Sequence, residues 1–308
     1  MGASLKPRIL VIRGGAIGDF ILTLPALRLL RDAFPAAHIE IIGYRHIVAL
    51  AEGRFYADAA RSIEFGPLAG FFARGGTLDE DLVEYFSSFQ QVVSYLFDPD
   101  GIFERNLERC GVKHFLQAHV KIDDSAHATH QLARPLEGLA LYLDEAAPIV
   151  FPSDADRQFA EEFLKEQIEP MVAIHPGSGS PRKNWPLSHW RELLGTLLAE
   201  RGRVLVIGGE ADHTLLDQLR MEFDSRLLIA RDLPLPALAA ILQQCAQFIG
   251  HDSGISHLAA SVGTQCLLLF GPTDPQVWAP TNPGVRVLCA PEGDLSRLPV
   301  SEVIDALV

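Results

Sequence analysis

Short runs of aliphatic residues recur along the chain, and glycine or proline closes each of them. The first, Arg8–Ile12, is aliphatic after its first residue and leads into a glycine loop, which is typical of a buried parallel strand. The pattern then predicts a helix over Thr23–Ala33, with Pro25 near its first turn, and a second strand over His38–Gly43. Strand, helix and strand in this order predict a βαβ unit with a right-handed crossover.

The same order of elements returns in the second half of the chain. Further helices are predicted over Leu187–Arg201 and Ile255–Val262, and a charged helix over Asp154–Glu166 links the two halves. The further predicted strands are Ser62–Phe65, Gln91–Leu96, Met171–Ile174, Arg203–Ile207, Gln247–Gly250 and Cys266–Gly271.

Alternating strands and helices favour an α/β protein with parallel sheets. We expect two doubly wound, Rossmann-like domains, residues 1–150 and 151–308, facing a cleft at the carboxyl ends of both sheets. It stays open whether the last helix packs back on the first domain. The chain has 308 residues, 48% of them hydrophobic, so each domain can bury a core and disorder is excluded.

Charge and cysteine usage narrow the classes of function. The chain carries 26 basic and 39 acidic residues, formally -13, which argues against a nucleic-acid partner because such proteins need a basic surface. An anionic ligand remains compatible, since one lysine in a cleft can bind a diphosphate. The four cysteines show no C-x-x-C spacing, which fits a reducing cytoplasm. No apolar run approaches the roughly 18 residues of a membrane span.

The first glycine loop, residues 13–19, joins a strand to a helix, where phosphate-binding loops occur. It does not fit a dinucleotide fingerprint, because Arg13 stands where a glycine belongs. It does not fit a P-loop either, because Asp19 stands where the lysine belongs. Position alone leaves two interpretations of Asp19 even: it caps the helix, or it is a carboxylate base exposed to substrate.

The loop at residues 175–186 follows a predicted strand of the second half. Small residues such as Gly177 and Ser178 let an anion approach the backbone, and Lys183 supplies a compact positive charge. The pattern therefore favours phosphate binding over the plainer interpretation, an ordinary loop with a surface lysine.

Residues 251–257 join a strand to a helix and place the N–H groups of Ser253 and Gly254 at a positive helix end. Capping and diphosphate binding are compatible here. Glu210 follows two glycines at a strand end, where a carboxylate can accept both hydroxyls of a ribose. Taken alone, this position is a weak indication.

Histidines and acidic residues of the first half could suggest a metal site, but their spacing matches no standard ligand pattern. We therefore expect no metal, and the absence of a G-x-S-x-G elbow argues against a covalent hydrolase. The residues considered for the metal are His114, His119, His127, His130, Asp123 and Asp124.

Several motifs occur together in a fixed order. They are R-G-G-A-I-G-D-F-I-L-T-L-P-A-L-R-L-L-R (13–31), H-P-G-S-G-S-P-R-K-N-W-P (175–186), V-I-G-G-E (206–210), D-S-G-I-S-H-L-A-A-S-V-G-T (252–264) and L-F-G-P-T-D-P-Q-V-W-A-P (269–280). Together they resemble glycosyltransferase family 9, the ADP-heptose–lipopolysaccharide heptosyltransferases.

The resemblance implies a GT-B fold, with the acceptor bound by the first domain and the nucleotide-sugar by the second. It also implies roles for particular residues. The implied roles are Asp19 as catalytic base; Gly14, Gly15 and Gly18 in the acceptor-side loop; Gly177, Ser178 and Lys183 near the donor phosphates; Glu210 on the nucleoside side; and Asp252, Ser253, Gly254 and His257 at the diphosphate and sugar.

The implied reaction is an inverting, metal-independent transfer of a heptose, or a similar sugar, from an ADP-sugar to a lipopolysaccharide core or similar glycan. A carboxylate takes the acceptor proton, and domain closure would assemble the site. No cofactor is implied, because the ADP-sugar is a substrate. The implied location is the cytoplasm, with peripheral contact at the inner face of the inner membrane, for which Phe71 and Phe72 are candidates.

Charge is the main departure from this expectation. Residues 1–150 hold 14 basic and 19 acidic residues, whereas a phosphorylated acceptor would favour a basic rim. Two alternatives stay open: another GT-B enzyme that uses a different nucleotide-sugar, as transferase or epimerase, and a non-catalytic binding protein. The candidates for a basic rim are Arg45, Arg54, Arg61 and Arg74, although the favoured interpretation is that they are ordinary solvated surface arginines.

Overall fold

The computed structural model describes residues 6–165 and 171–307. The chain forms two compact units that divide between Ala146 and Ala147, and each unit is described by itself. The helix predicted over Asp154–Glu166 covers Asp154–Leu164, and its predicted last residue lies outside the described ranges.

Unit 1 is a parallel sheet with helices in its crossovers. Its strands are β1 (Arg8–Ile12), β2 (His38–Gly43), β3 (Ala59–Ser62), β4 (Gln91–Ser94) and β5 (Phe115–Gln117). Its helices are α1 (Ile17–Ala33), α2 (Arg45–Val48), α3 (Glu80–Ser87), α4 (Ile102–Arg109) and α5 (Ala128–Ala133). The strand order β3-β2-β1-β4-β5 is that of a Rossmann-like unit. The strands β2 and β3 are added on one side of β1, and β4 and β5 are added on its other side.

Three predicted boundaries in unit 1 were wrong, and the smallest difference is at β4, which ends at Ser94 rather than Leu96. Helix α1 begins at Ile17 rather than Thr23, so Pro25 lies inside the helix instead of near its first turn. The helix continues past this proline because residues 20–27 are buried, and packing outweighs one missing hydrogen bond. Strand β3 covers Ala59–Ser62 rather than Ser62–Phe65, because residues 59–62 pair with β2 while Phe65 is exposed.

Unit 2 contains a six-stranded parallel sheet. Its strands are β6 (Val172–His175), β7 (Val204–Gly208), β8 (Leu227–Arg231), β9 (Gln247–His251), β10 (Gln265–Phe270) and β11 (Val285–Cys289). Its helices are α6 (Asp154–Leu164), α7 (Leu187–Arg201), α8 (His213–Phe223), α9 (Leu235–Gln243), α10 (Gly254–Ser261), α11 (Pro275–Trp278) and α12 (Val300–Asp305). The order β11-β10-β9-β6-β7-β8 again reverses at one point, between β6 and β9.

Tightly packed side chains cover this second sheet. Trp190 of α7 is fully buried with leucines of its own helix and aliphatic residues of β6 and β7. The final helix α12 buries Val300 and Val303 in the same core. This packing holds the sheet in place, and it therefore sets where the loops that follow the strands begin.

The two phenylalanines considered for membrane contact have different surroundings. Phe71 is fully buried and packs against Phe86, whereas Phe72 is half exposed and stacks on Phe103 at 4.9 Å between ring centroids. Within residues 6–165 and 171–307, no helix combines the length and the apolar character needed to cross a bilayer.

Candidate functional site

The carboxyl edge of the unit 2 sheet gathers four loops. They follow β6, β7, β9 and β10. Because the strands are parallel, their carboxyl ends all lie at the same edge of the sheet. The reversal between β6 and β9 opens a crevice at this edge, which is the usual ligand position in doubly wound sheets. The loops after β6 and β9 are those that carry the candidate phosphate-binding residues.

Lys183 and Asp252 come together at this edge although they lie far apart in the chain. The Lys183 Nζ is 2.6 Å from the Asp252 Oδ2, and the Thr273 hydroxyl donates to the same oxygen at 2.8 Å. Asp252 is buried, and about a third of the Lys183 side chain is exposed. The carboxylate therefore holds the ammonium group in place while leaving it open to an anion.

His251, the last residue of β9, connects two segments of the loop after β6. The backbone N–H of Trp185 donates to its Nε2 at 2.8 Å, and its Nδ1 lies 3.3 Å from the carbonyl of Gly177. Because Nε2 accepts, the proton resides on Nδ1 and the imidazole is neutral. Burial lowers the pKa of His251 to about 4, which agrees with this assignment.

A second histidine, His175, lies between Asp212 and Ser253. Its Nε2 is 3.5 Å from the Asp212 Oδ2, and its Nδ1 is 3.4 Å from the Ser253 Oγ. Burial raises the pKa of the Asp212 carboxyl, but hydrogen bonds from His175 and from the N–H of Gly209 outweigh this, so the pKa lies below its ordinary value. A Cβ at Gly177 would lie 2.0 Å from the Asp212 Oδ1, so any side chain there would displace this carboxylate from its present position.

Helix α10 begins beside this histidine. Ser253 is its N-cap, with the Oγ accepting from the N–H of Ser256 at 3.4 Å. The N–H groups of Gly254 and Ile255 have no carbonyl within the helix to bind, which leaves a positive end suited to an anion. His257, in the first turn, is buried.

Two other residues predicted to bind the nucleotide-sugar, Ser178 and Glu210, have less support from the geometry. The Ser178 hydroxyl donates to the Ser180 carbonyl at 2.7 Å and so closes its own loop. Glu210 is exposed and begins a short 3-10 turn after β7. Both stay predictions.

In unit 1, the loop after β1 is held by Arg13. Its Nε donates to the Thr23 Oγ1 at 2.9 Å, and its Nη2 donates to the Asp19 carbonyl at 3.1 Å. The Thr23 hydroxyl donates to the same carbonyl at 2.7 Å. Burial lowers the pKa of the Arg13 guanidinium, although the Asp19 charge opposes this. Arg13 thus anchors the first turn of α1.

Asp19 is the third residue of α1, and its side-chain Oδ2 accepts a hydrogen bond from the N–H of Ala16 at 2.9 Å. The other oxygen, Oδ1, accepts no hydrogen bond from a residue that the structure describes. Gly15 has φ +99°, and a Cβ there would lie 2.8 Å from the Asp19 Oδ2. Capping and exposure to a substrate are therefore compatible for Asp19, and Gly14 and Gly18 keep the loop small beside it.

The residues considered for a metal are dispersed. His127 caps α5, and His119 lies 3.3 Å from the carbonyl of Tyr95 through its Nδ1. Across the described ranges, no three His, Cys, Asp or Glu side chains gather in a way that could hold a metal ion.

Comparison with known proteins identifies the family. The family model for glycosyltransferase family 9 (heptosyltransferase) matches residues 109–301, which is more than half of the chain. The chain belongs to glycosyltransferase family 9.

One similar protein is lipopolysaccharide heptosyltransferase 2 of Escherichia coli K12, 24% identical over 156 residues. That match covers 47% of this family 9 chain and 45% of the E. coli protein, so it spans a little under half of this relative.

Two solved structures resemble the whole chain. A family 9 glycosyltransferase from Veillonella parvula has a TM-score of 0.80 and 19% identity, over 97% of this chain and 95% of that one. The E. coli heptosyltransferase WaaC with ADP has a TM-score of 0.72 and 18% identity, over 97% of this chain and 98% of that one. These likenesses show the expected fold, two Rossmann-like units of the GT-B type.

Sequence reasoning missed several residues of the family 9 chain's candidate site. Thr273 follows β10 in a G-P-T-D loop, where the motif alone assigns it no role. His175 and His251 end strands, and Asp212 ends the short 3-10 turn after β7; this position is the available signal. The sequence shows Arg13 only as a departure from a glycine pattern, whereas its hydrogen bonds to the first turn of α1 emerge from the structure.

The neutral state of His251 predicts acid sensitivity. The unfolded chain binds a proton below the ordinary pKa of 6.5, whereas the folded imidazole stays neutral to about pH 4. Stability is therefore fully present above about pH 6.5 and falls as the pH drops toward 4, by up to about 3 kcal/mol. Urea unfolding at a series of pH values measures this loss.

His251→Gln should flatten that pH dependence, whereas His130→Gln, which changes an exposed histidine, should leave it unaltered. A His251 resonance that titrates near pH 6.5 in the folded protein would contradict the assignment.

Proposed function

We propose that this protein transfers a heptose, or a similar sugar, from an ADP-sugar to a lipopolysaccharide core-type acceptor. The observation that carries the proposal is the grouping of Lys183, Asp252, Thr273 and the N-terminus of α10 at the switch point of the unit 2 sheet. A fixed cation beside free helix N–H groups suits a diphosphate. The family match, and the names of the relatives, support heptose transfer.

The proposed donor site offsets the charge that develops on the leaving diphosphate. As the bond between the anomeric carbon and the diphosphate oxygen breaks, its electron pair goes to the ADP. Lys183 and the N–H groups of Gly254 and Ile255 stabilise that charge, and in this proposal no metal ion is required. Asp252 orients Lys183 and stays buried behind it.

The proposed base is Asp19. The acceptor hydroxyl forms the new bond to the anomeric carbon and releases its proton to the Asp19 Oδ1, while Oδ2 keeps its hydrogen bond to Ala16. Attack from the face opposite the diphosphate inverts the anomeric centre. The second oxygen thus holds the carboxylate while the first one reacts.

Asp19→Asn tests the base. The amide oxygen can still accept from Ala16, so the helix start is retained while the basic oxygen is lost. We expect kcat to fall by about 10²–10⁴-fold, with ADP affinity changed less than about twofold. Steady-state transfer assays and calorimetry with ADP measure the two quantities.

Asp32→Asn is the matched control, since Asp32 lies on the same helix with an exposed side chain. An Asp19→Asn enzyme with the wild-type rate would remove Asp19 from this role.

Lys183→Met tests the donor site. It removes the cation and leaves the Asp252 carboxylate facing the diphosphate, so ADP affinity should fall by about 10–100-fold. The neighbouring exposed Arg182, changed to Met, is the control for a general loss of positive charge and should retain affinity. Equal ADP binding by the Lys183 variant would exclude the lysine from the site.

The choice of nucleotide separates this proposal from that of an enzyme using another nucleotide-sugar. Because a ligand that binds the folded state raises the unfolding temperature, ADP and ADP-sugars should raise it more than UDP and UDP-sugars at equal concentration. Thermal unfolding with matched pairs measures the difference, and a larger effect of the UDP compounds would favour the alternative.

A further inference from the structure

Three of the four arginines considered for a basic rim in unit 1 are engaged by the fold, two of them by carboxylates. Arg45 lies 2.7 Å from the Glu52 carboxylate, and Arg54 donates to two backbone carbonyls. Arg61 lies 3.7 Å from the buried Glu40 carboxylate. These three positive charges are compensated or held by the fold, and Arg74 is the remaining candidate.

Arg74 lines a pocket of about 200 Å³ together with Arg105 and Arg109 of α4. The rest of the lining is Gly75, Ile102 and Asn106, so no carboxylate faces the pocket. Within the described part of the chain, none of the three arginines lies within 4.0 Å of a carboxylate oxygen. Three positive charges therefore surround one small cavity in a protein whose net charge is -13.

The buried side-chain amide of Asn106 holds together the two segments that line this pocket. Asn106 is 3% exposed, and its Nδ2 donates to the carbonyls of Phe71 at 2.8 Å and Ala73 at 3.0 Å. Its Oδ1 accepts from the Arg109 Nη1 at 2.8 Å, and Arg109 also donates to the Gly76 carbonyl at 3.2 Å. The loop that carries Arg74 is thus fixed to α4 at both of its ends.

The glycines of this loop make the arrangement tight. Gly75 has φ +65°, in the left-handed region, and a Cβ at Gly76 would lie 2.4 Å from the Gly70 carbonyl oxygen. The loop therefore closes on itself and holds Arg74 next to α4. The Arg105 Nη2 donates to the Asp100 carbonyl, which orients that guanidinium without neutralising it.

We propose that this pocket binds a phosphoryl group. Guanidinium groups match the oxygens of phosphate through paired N–H donors, and an anion relieves the mutual repulsion of three like charges. The phosphoryl group belongs either to a phosphorylated acceptor, which rests on the proposed function, or to free phosphate. Both sources present the same chemistry to the pocket.

The first experiment is independent of transfer activity. Inorganic phosphate is titrated at constant ionic strength against chloride, with excess ADP present to occupy a nucleotide site, and the unfolding temperature is recorded. The double variant R74Q/R105Q should bind phosphate at least about tenfold more weakly than the wild type. Arg109 is left unchanged because it holds the loop.

The matched control is R28Q/R45Q, which removes two arginines of unit 1 that pair with carboxylates. It loses the same charge and should bind phosphate as the wild type does. Should the double variant fold poorly, Arg74→Gln alone changes an exposed side chain and should show the same direction of effect. Equal phosphate affinity in wild type and in the Arg74 variants would overturn the proposal.

The second experiment identifies the source. If the acceptor carries the phosphoryl group, R74Q/R105Q should raise the KM for a phosphorylated core oligosaccharide about tenfold. The same double variant should leave the KM for the enzymatically dephosphorylated oligosaccharide unchanged. If the double variant binds phosphate more weakly but transfers to both oligosaccharides with unchanged kinetics, the pocket binds free phosphate. If no transfer is detected in the wild type, the proposed function fails while the phosphate titration still decides on the pocket.

Discussion

The buried imidazole of His251 is the contact on which the candidate donor site depends. It ends the central strand β9 and binds the loop after β6 at two points, the carbonyl of Gly177 and the N–H of Trp185. Lys183 lies between these two points in the chain. Its distance from Asp252, the residue next to His251, is therefore set by hydrogen bonds to a neutral ring packed against Trp190. The position of the Lys183 charge at the surface therefore depends on how His251 packs in the interior.

Charge is handled differently in the two units. In unit 2, the candidate cation is paired with a buried carboxylate, so that its position is fixed. In unit 1, three arginines that pair with no carboxylate in the described part of the chain line one pocket, beside the glycine loop that Asn106 fixes. A net charge of -13 therefore describes the whole protein and says little about any one cavity.

Much of the fold was predictable because continuous aliphatic runs mark buried parallel strands. β1, β2 and α7 occur at the predicted residues, since each is closed by glycine or proline. The missed strands are β5, β8 and β11, which are edge strands, short or only partly buried, so their apolar pattern is weak. The start of α1 was missed because Gly18 and Asp19 look like a loop, whereas the carboxylate stabilises the first turn by accepting from Ala16.

The candidate site was predictable only in part, because loops that meet in space are distant in the chain. The pairing of Lys183 with Asp252 joins residues 69 positions apart, and Thr273 enters from a third loop. Sequence patterns identified the loops but not which side chains in them make contact. The partners of His175 and His251 depend on the strand order, which no local pattern contains.

The contacts of Asp19 have an entropic consequence. A side chain in solution samples several rotamers, and ordering it costs free energy when it must act. Here the Ala16 N–H and the close backbone of Gly15 confine the carboxylate as part of helix formation. In the proposed role of Asp19 as a base, the free energy of ordering the carboxylate is therefore spent once, when the chain folds, and not each time an acceptor hydroxyl binds.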